Sequence, residues 1–426
     1  MTMLDDAEPR TAARFPGRGF YAMWTALGVS QLGSAVSAVI IPLVAAVTLG
    51  ASPGQMGLLA AMTMAPSFLI KVPAASWSDS LNSSRVPVMA VCNVAQALMA
   101  GLVPVLWWTG GLTMPLLIAI VAGSSLLQGV YSSLSSPLLV ELVPRQHLPI
   151  ANGRMSATRS AADIGGPAIG GGLLAVLAAP IVVLIDAVSF LFSAALLMRI
   201  PKAELTDPER LASRNGKERL GLKGFAGLGR VLIQRSGLQT AIAVSFVNGI
   251  TDAILVLYLV RELHMPPSLI GLLLGLGAVG GIAGGFLVGR LMGSVGLGRT
   301  LAIGTVITMI SLAALPFATP GVSAALGMVV LELAGSLGGT LMMAVVFGVI
   351  QGNAPEGRVA RVMALASTFL QMSTVAGALA GGLIASYLDL RLSMGISAAL
   401  LVVLLVPQLI RWRVANWKID EQGAET

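Results

Sequence analysis

Two acidic residues stand in long apolar stretches of the sequence, where they could exchange protons or bind cations. Asp252 lies within SFVNGITDAILVLYLV, one helical turn after Asn248, and Glu332 lies within GMVVLELAGSLGG. A charge among apolar residues is costly, so each such carboxyl needs a structural or functional reason. A carboxyl in an apolar cavity can hold either a proton or a cation, which is the chemistry that coupled transport requires.

Further polar and charged residues interrupt other apolar stretches. Arg159 and Asp163 are one helical turn apart, which predicts an ion pair, and a coupling or gating role for this pair stays open. Lys71 is near the end of its stretch, so its amine can extend to the membrane surface. Among the uncharged residues, we select Gln31 and Gln128 as candidates for contact with polar groups of a substrate.

The composition places these residues in a membrane. Of 426 residues, 56% are hydrophobic and 11% are charged, and the mean hydropathy is +0.87. Soluble domains carry about 25% charged residues, and disordered chains combine low hydrophobicity with high charge, so both classes are excluded. Continuous rather than alternating apolar runs argue against a membrane β-barrel. The chain is therefore predicted to be an all-α protein with many membrane spans.

Apolar runs of about 20 residues, the length that crosses a bilayer, occur twelve times in two groups of six. Nearly all Lys and Arg in the loops lie on one side, so both termini are predicted to be cytoplasmic, in the cell membrane. The predicted organisation is an N-terminal tail (1–19), a six-helix bundle (20–199), a linker (200–235), a second six-helix bundle (236–412) and a C-terminal tail (413–426).

The two groups of spans resemble each other. A shift of 214 residues places Pro53 on Pro267, Gly57 on Gly271 and Arg85 on Arg299. A second match, with small gaps, relates the fifth and eleventh spans. Two parallel six-helix halves with a binding site at their interface describe one class of secondary transporter.

Glycines mark two spans as surfaces for close helix packing. The fifth predicted span (156–177) carries Gly166, Pro167, Gly170 and Gly171 in a GPxxGG pattern, in which the proline bends the helix and the glycines admit another backbone. The eighth span has a glycine at every fourth position, namely Gly277, Gly281, Gly285 and Gly289. These smooth faces could slide during transport, or they could pack statically.

The architecture and these motifs resemble the major facilitator superfamily over essentially the whole chain. VPRQHLPIANGRMSATRSAADIGGPAIGG looks most like the drug and siderophore exporters, the enterobactin-exporter-like branch. The resemblance implies that GPxxGG is motif C of exporters, that the fifth and eighth spans pack across the interface between the halves, and that the seventh and tenth line a central cavity. It also implies that Asp186 belongs to a scaffold helix and makes a structural hydrogen bond.

Two other family motifs are altered. Between the second and third spans, Asp79 and Arg85 remain from motif A, which in the family latches the halves on the cytoplasmic side; the second-half copy keeps Arg299 but lacks the Asp. In the fourth span (114–139), Ser125 stands where drug–proton antiporters often have an Arg, three residues before Gln128. Coupling through that Arg is therefore not expected.

These features together predict a secondary transporter that exports hydrophobic or amphipathic organic compounds by alternating access, driven by protons. Phosphate or dicarboxylate substrates are disfavoured because Arg159 is the one basic residue deep in a span. We expect no cofactor, no metal, no nucleic-acid partner and no enzyme activity, and we expect a monomer. A lipid or lysolipid translocator is the alternative, and a membrane sensor without transport is a weaker one.

Overall fold

Helices dominate the structure because a chain in lipid must satisfy its backbone N–H and C=O groups internally. The computed structural model describes residues 16–80, 85–201, 237–352 and 359–414. The predicted linker and both tails fall mostly outside these residues. The helices of the described residues are α1 (Arg18–Leu43), α2 (Pro53–Ser80), α3 (Arg85–Trp108), α4 (Met114–Leu142), α5 (Leu148–Leu173), α6 (Ala179–Val182 and Leu184–Leu197), α7 (Leu238–Arg261), α8 (Pro267–Val295), α9 (Leu297–Ala314), α10 (Val322–Gly352), α11 (Val359–Tyr387) and α12 (Leu390–Val414).

Nine of these helices are long and apolar enough to cross a membrane. The other three are α2 and α5, which have ample length but more polar sequences, and α12, whose apolar part in the described residues is Leu390–Val406. The predicted all-helical fold is confirmed. α5 begins at Leu148, well before the predicted 156, because the polar segment after the α4–α5 turn is helical.

The packing repeats between the halves. In the first half, α1 packs on α5 and α6, α2 packs on α4, and α3 packs on α4 and α6. Adding six to each helix number gives the pairs of the second half, α7 with α11 and α12, α8 with α10, and α9 with α10 and α12. The two six-helix bundles are therefore pseudo-symmetric copies of one arrangement.

Even an unusual turn repeats. Gly50 and His264 precede α2 and α8 and are related by the shift of 214 residues seen in the sequence; both have a positive φ, of 62° and 52°. Glycine adopts this conformation without strain, whereas a histidine rarely does. The second half therefore retains the backbone path although it has lost the glycine.

The apolar core is joined at one end of the bundle and divided at the other. At the end where α1 leads into α2, one cluster contains residues of both halves, from Val36 and Leu59 to Tyr258 and Ile270. At the opposite end, one cluster around Phe20 and Leu138 belongs to the first half, and another around Val244 and Val346 belongs to the second. We call these the shared end and the split end.

Backbones of the two halves touch at the shared end. A Cβ on Gly57 of α2 would lie 2.7 Å from the Cα of Gly382 on α11, and a Cβ on Gly171 of α5 would lie 2.6 Å from the carbonyl carbon of Gly271 on α8. Real side chains do not approach so closely, so glycine is required at both crossings. The crossings are pseudo-symmetric, because α2 and α5 correspond to α8 and α11.

A hydrogen-bonded arginine adds to the contact at the shared end. The Arg261 guanidinium, at the end of α7, donates to the carbonyl oxygens of Ala51 at 2.8 Å and of Gly50 at 3.3 Å, across the interface between the halves. These carbonyls follow the π-helical turn Val44–Thr48 that ends α1. The acceptors are therefore backbone groups at a helix end, which a cationic donor satisfies well.

The glycines of motif C divide between two partners. Gly171 faces α8, whereas Gly166 faces Ala35 of α1 and Gly170 lies in ordinary contact with Val36. On α8, the residues that meet α5 are Gly271 and Gly275. Helices α5 and α8 thus pack together across the interface, through a different set of glycines from the one expected.

The glycines at every fourth position of α8 were predicted to pack against α5, and this prediction is wrong. Gly277 and Gly281 face Glu332, Ser336 and Thr340 of α10, within the same half, and there is open space where a Cβ on Gly285 or Gly289 would lie. A spacing of four residues fixes one helix face but does not say which neighbour covers it.

Arg85, from motif A, forms a buried ion pair with Glu141 of α4 and donates to the carbonyl oxygen of Ser78. The Arg85 and Glu141 side chains are 11% and 5% exposed. This pair lies within the first half, so in this structure Arg85 contacts its own half, and the latch between halves stays a prediction. Its repeat equivalent Arg299 is exposed, and the Asp79 side chain lies outside what the structure describes.

The glycine crossing predicts that Gly271→Val will force the shared end apart. The added side chain overlaps the α5 backbone, at a cost of about 1–3 kcal/mol in this conformation. Spin labels at Ser52 and His264, in a Cys92→Ser background, should give a longer mean distance in this variant. The control Gly285→Val adds the same side chain in open space and should leave the distance unchanged; equal widening in both variants would contradict the prediction.

The buried ion pair predicts that Arg85→Met lowers the free energy of unfolding by about 3 kcal/mol, because Glu141 is left buried without its cation. The matched control Arg299→Met, at the exposed equivalent position, should change it by less than about 0.5 kcal/mol. The measurement is reversible unfolding of the purified protein. The double variant Arg85→Met/Glu141→Leu should recover most of the loss, and failure to recover would show that Arg85 acts in another way.

Candidate transport cavity

A cavity of about 270 Å³ lies between the halves, next to the shared core. It is lined by α1, α2, α3, α4 and α6 of the first half and by α7 of the second. Most of its wall is aliphatic, with Met56 and Phe190 among the larger side chains. Hydroxyl and amide groups interrupt this wall, among them Gln96 and the predicted Gln128. The cavity can therefore accept an apolar body and orient it through a few polar contacts.

Asp186 of α6 lies in the wall of this central cavity. Its side chain is buried and accepts a hydrogen bond from the Ser34 hydroxyl of α1 at 3.3 Å. The expected structural hydrogen bond is present, but the assignment to a scaffold position alone misses the cavity. Beside it, the buried Ser37 hydroxyl also lines the cavity.

Asp252 of α7 lines the same cavity from the other half. It lies about 21 Å along α7 from Leu238, using a rise of about 1.5 Å per residue, yet its side chain is exposed. Because Asp252 is among the residues that line two internal cavities, this exposure is to those cavities. Among the described residues, no hydrogen bond or ion pair engages the carboxyl. Asp252 is therefore available to a ligand or a proton.

A second cavity, of about 240 Å³, connects Asp252 with Glu332. It lies within the second half between α7, α9 and α10, and Asn248, Thr308, Ser311 and Ser336 contribute polar groups to its wall. Glu332 is half-buried, and a Cβ on Gly277 of α8 would lie 3.2 Å from its Oε2 atom. Gly277 thus makes the room that this carboxyl occupies. The predicted grouping of Asp252, Glu332 and Asn248 is found in one cavity.

The charges in these cavities have one sign. Of the charged residues, Asp186 and Asp252 line the central cavity, and Asp252 and Glu332 line the second; neither described lining contains Lys or Arg. Because Coulomb interactions are strong where water is scarce, this arrangement favours protons and cations over anions. The carboxyls come from both halves, so a cation between them can contact each half.

Three predicted candidates lie elsewhere. Gln31 is half-buried on α1 and is not among the residues that line either cavity. Arg159 and Asp163 are both exposed on α5 and do not form the predicted ion pair. The order of the residues explains this, since an arginine that precedes an acid by one turn is the poorer orientation on a helix.

Comparison with known proteins finds a family model and a relative that each match most of the chain. A family model described as the Major Facilitator Superfamily matches residues 23–330 and 239–421. A protein of Bacillus subtilis (strain 168) described as the uncharacterized MFS-type transporter YfiS is 22% identical over 411 residues, which cover 94% of each chain.

Solved structures share the fold. A bacterial homologue of the iron transporter ferroportin, in an inward-facing state, is 20% identical and has a TM-score of 0.71, with 93% of this chain and 99% of that chain covered. The nucleoside transporter NupG is 11% identical, with a TM-score of 0.76 and the same coverage. A bacterial homologue of the lysosomal transporter Spinster is 16% identical, with a TM-score of 0.66 and 94% and 98% covered. The chain belongs to the major facilitator superfamily of membrane transporters.

Proposed function

We propose that this protein is a proton-coupled exporter of apolar or amphipathic organic compounds, neutral or cationic, that works by alternating access. The observation that carries the proposal is the central cavity, whose aliphatic wall holds carboxyls from both halves and no basic residue in its described lining. An apolar wall receives a hydrophobic body, and the carboxyls attract a positive group. The proposed substrate classes are drugs, siderophores and metabolites that the cell itself makes.

Proton coupling is supported by the position of Asp252 between two cavities. It faces the central cavity together with Asp186 and the second cavity together with Glu332. A proton bound on Asp252 or Glu332 removes a negative charge from the site, so proton binding and cation binding oppose each other. That reciprocal coupling is the requirement for exchanging one for the other. The proton gradient would supply the energy, with no cofactor.

Charge and shape indicate to which side of the membrane this conformation opens. The positive-inside distribution of Lys and Arg makes the termini cytoplasmic, and the helices that begin or end nearest the termini do so at the split end. The split end then faces the cytoplasm, which would admit substrate from that side in this conformation. Export also agrees with the GPxxGG pattern, Gly166 to Gly171, which in this family is typical of exporters. The proposed active unit is a monomer in the cell membrane.

The cavity geometry predicts that Asp252→Asn and Glu332→Gln each uncouple transport from protons. Proteoliposomes that hold the protein should release protons when ethidium, a lipophilic cation, is added, and each variant should reduce this release at least about tenfold, in line with typical losses on removing a proton-transfer group. The matched control Asp389→Asn replaces an exposed acid between α11 and α12 and should behave as wild type. Undiminished, proton-dependent transport by both cavity variants would contradict this role.

The position of Asp186 in the wall of the central cavity predicts that its charge selects substrates and does not carry the coupled proton. Asp186→Asn keeps an acceptor for the Ser34 hydroxyl but removes the charge that faces the cavity. Efflux of ethidium should fall about tenfold, as expected for the loss of one favourable charge contact, whereas efflux of Nile red, a neutral lipophilic dye, should be retained. Equal loss for both dyes would instead indicate that Asp186 is needed for the fold.

A further inference from the structure

A separate polar pocket of about 300 Å³ lies between α4 and α5, on the split side of the first half. Leu139 and Met155 form its apolar part. The remaining wall is polar and includes Ser136, Asn152, Ser156 and Arg159. None of these residues lines the central cavity or the Asp252–Glu332 cavity, so the pocket is distinct from the proposed transport site.

The position of the pocket suits contact with the membrane surface or the cytoplasmic space. Arg159 is about 16 Å along α5 from Leu148, and Ser136 is about 9 Å from Leu142 at the end of α4. Ser136, Asn152, Ser156 and Arg159 are all exposed. A ligand that reaches the split end can therefore meet these four side chains without an opening motion.

The charge of the pocket is positive. Arg159 forms no ion pair with Asp163 among the described residues, and no carboxylate lines the pocket. Three neighbours of Arg159 in the pocket, Asn152, Ser136 and Ser156, can donate hydrogen bonds. The chemistry of the pocket is thus opposite to that of the acidic cavities.

We propose that this α4–α5 pocket is an anion site that binds a phosphate group. A planar guanidinium can donate two parallel hydrogen bonds to two oxygens of one phosphate, and the amide and hydroxyl donors match the remaining oxygens. The phosphate could belong to a phospholipid headgroup or to a soluble phosphate. Because the pocket joins α4 to α5, the bound group would stabilise the conformation in which these helices have this spacing.

The test is ligand-dependent stabilisation of the purified full-length protein in an uncharged detergent. Thermal unfolding is followed by tryptophan fluorescence while sodium phosphate is titrated against sodium chloride at equal ionic strength. In a second arm, phosphatidylglycerol is titrated against an uncharged galactolipid. We expect saturable stabilisation by phosphate, by phosphatidylglycerol or by both. Arg159→Gln should weaken the apparent affinity about tenfold or more, the loss of a charge-assisted hydrogen bond.

Two further variants separate the site from general effects. Arg159→Lys keeps the positive charge but loses the planar guanidinium with its two parallel donors. Its affinity for the anion should therefore fall between those of wild type and Arg159→Gln. Arg154→Gln removes a cation of the same helix that lies over the Trp24 ring, outside the pocket, and should keep the wild-type response. Stabilisation by the lipid alone assigns a headgroup, and stabilisation by inorganic phosphate assigns a soluble anion. No saturable effect of either probe, or an unchanged response in Arg159→Gln, would overturn the proposal.

Discussion

The two glycine crossings at the shared end are the contact on which the rest of the molecule depends. At Gly57–Gly382 and Gly171–Gly271 the halves meet backbone to backbone, which leaves no room for side chains. Such proximity aligns α2 with α11 and α5 with α8 and allows the aliphatic residues around them to merge into one core. With the halves fixed there, the space between them can widen only toward the split end, where each half keeps its own core.

Because the bundle contains few charged residues, the surroundings of the individual charges show how they are tolerated. A buried charge is tolerated when it is paired, as Arg85 is with Glu141. It is also tolerated where a cavity reaches it, as at Asp252 and Glu332, or where a hydroxyl donates to it, as the Ser34 hydroxyl does to Asp186. Asp186, Asp252 and Glu332 line the two acidic cavities, whereas Arg159 lines a separate pocket. The acidic and basic groups of the first half therefore lie in different pockets.

Much of this could be predicted from the sequence, and the misses share a physical cause. The long apolar runs predicted an all-helical membrane protein, and nine helices of the described residues are long and apolar enough to cross a membrane. The repeat related Gly57 to Gly271, which lie in equivalent crossings. Helix periodicity gives the face on which a residue lies but not the neighbour that covers it. The glycines at every fourth position of α8 were therefore assigned to α5, although Gly277 faces α10, and Asp186 was placed in a scaffold although it faces the central cavity. Glu141 was missed because α4 continues a few residues beyond its apolar run, to Leu142.

The strength of the contacts at the shared end limits the free energy that is needed to separate the halves there during transport. These contacts are dispersion between closely packed backbones, burial of aliphatic side chains and the hydrogen bonds of Arg261 to carbonyl oxygens. Each is individually small, and equivalent contacts at the split end could replace them in a pseudo-symmetric molecule. The two conformations can then differ by a few kcal/mol, and a shift of about 5.5 kcal/mol is enough to reverse a 1:99 population. Asp186 and Asp252 line the central cavity from different halves, so a change of charge in that cavity acts on both halves at once.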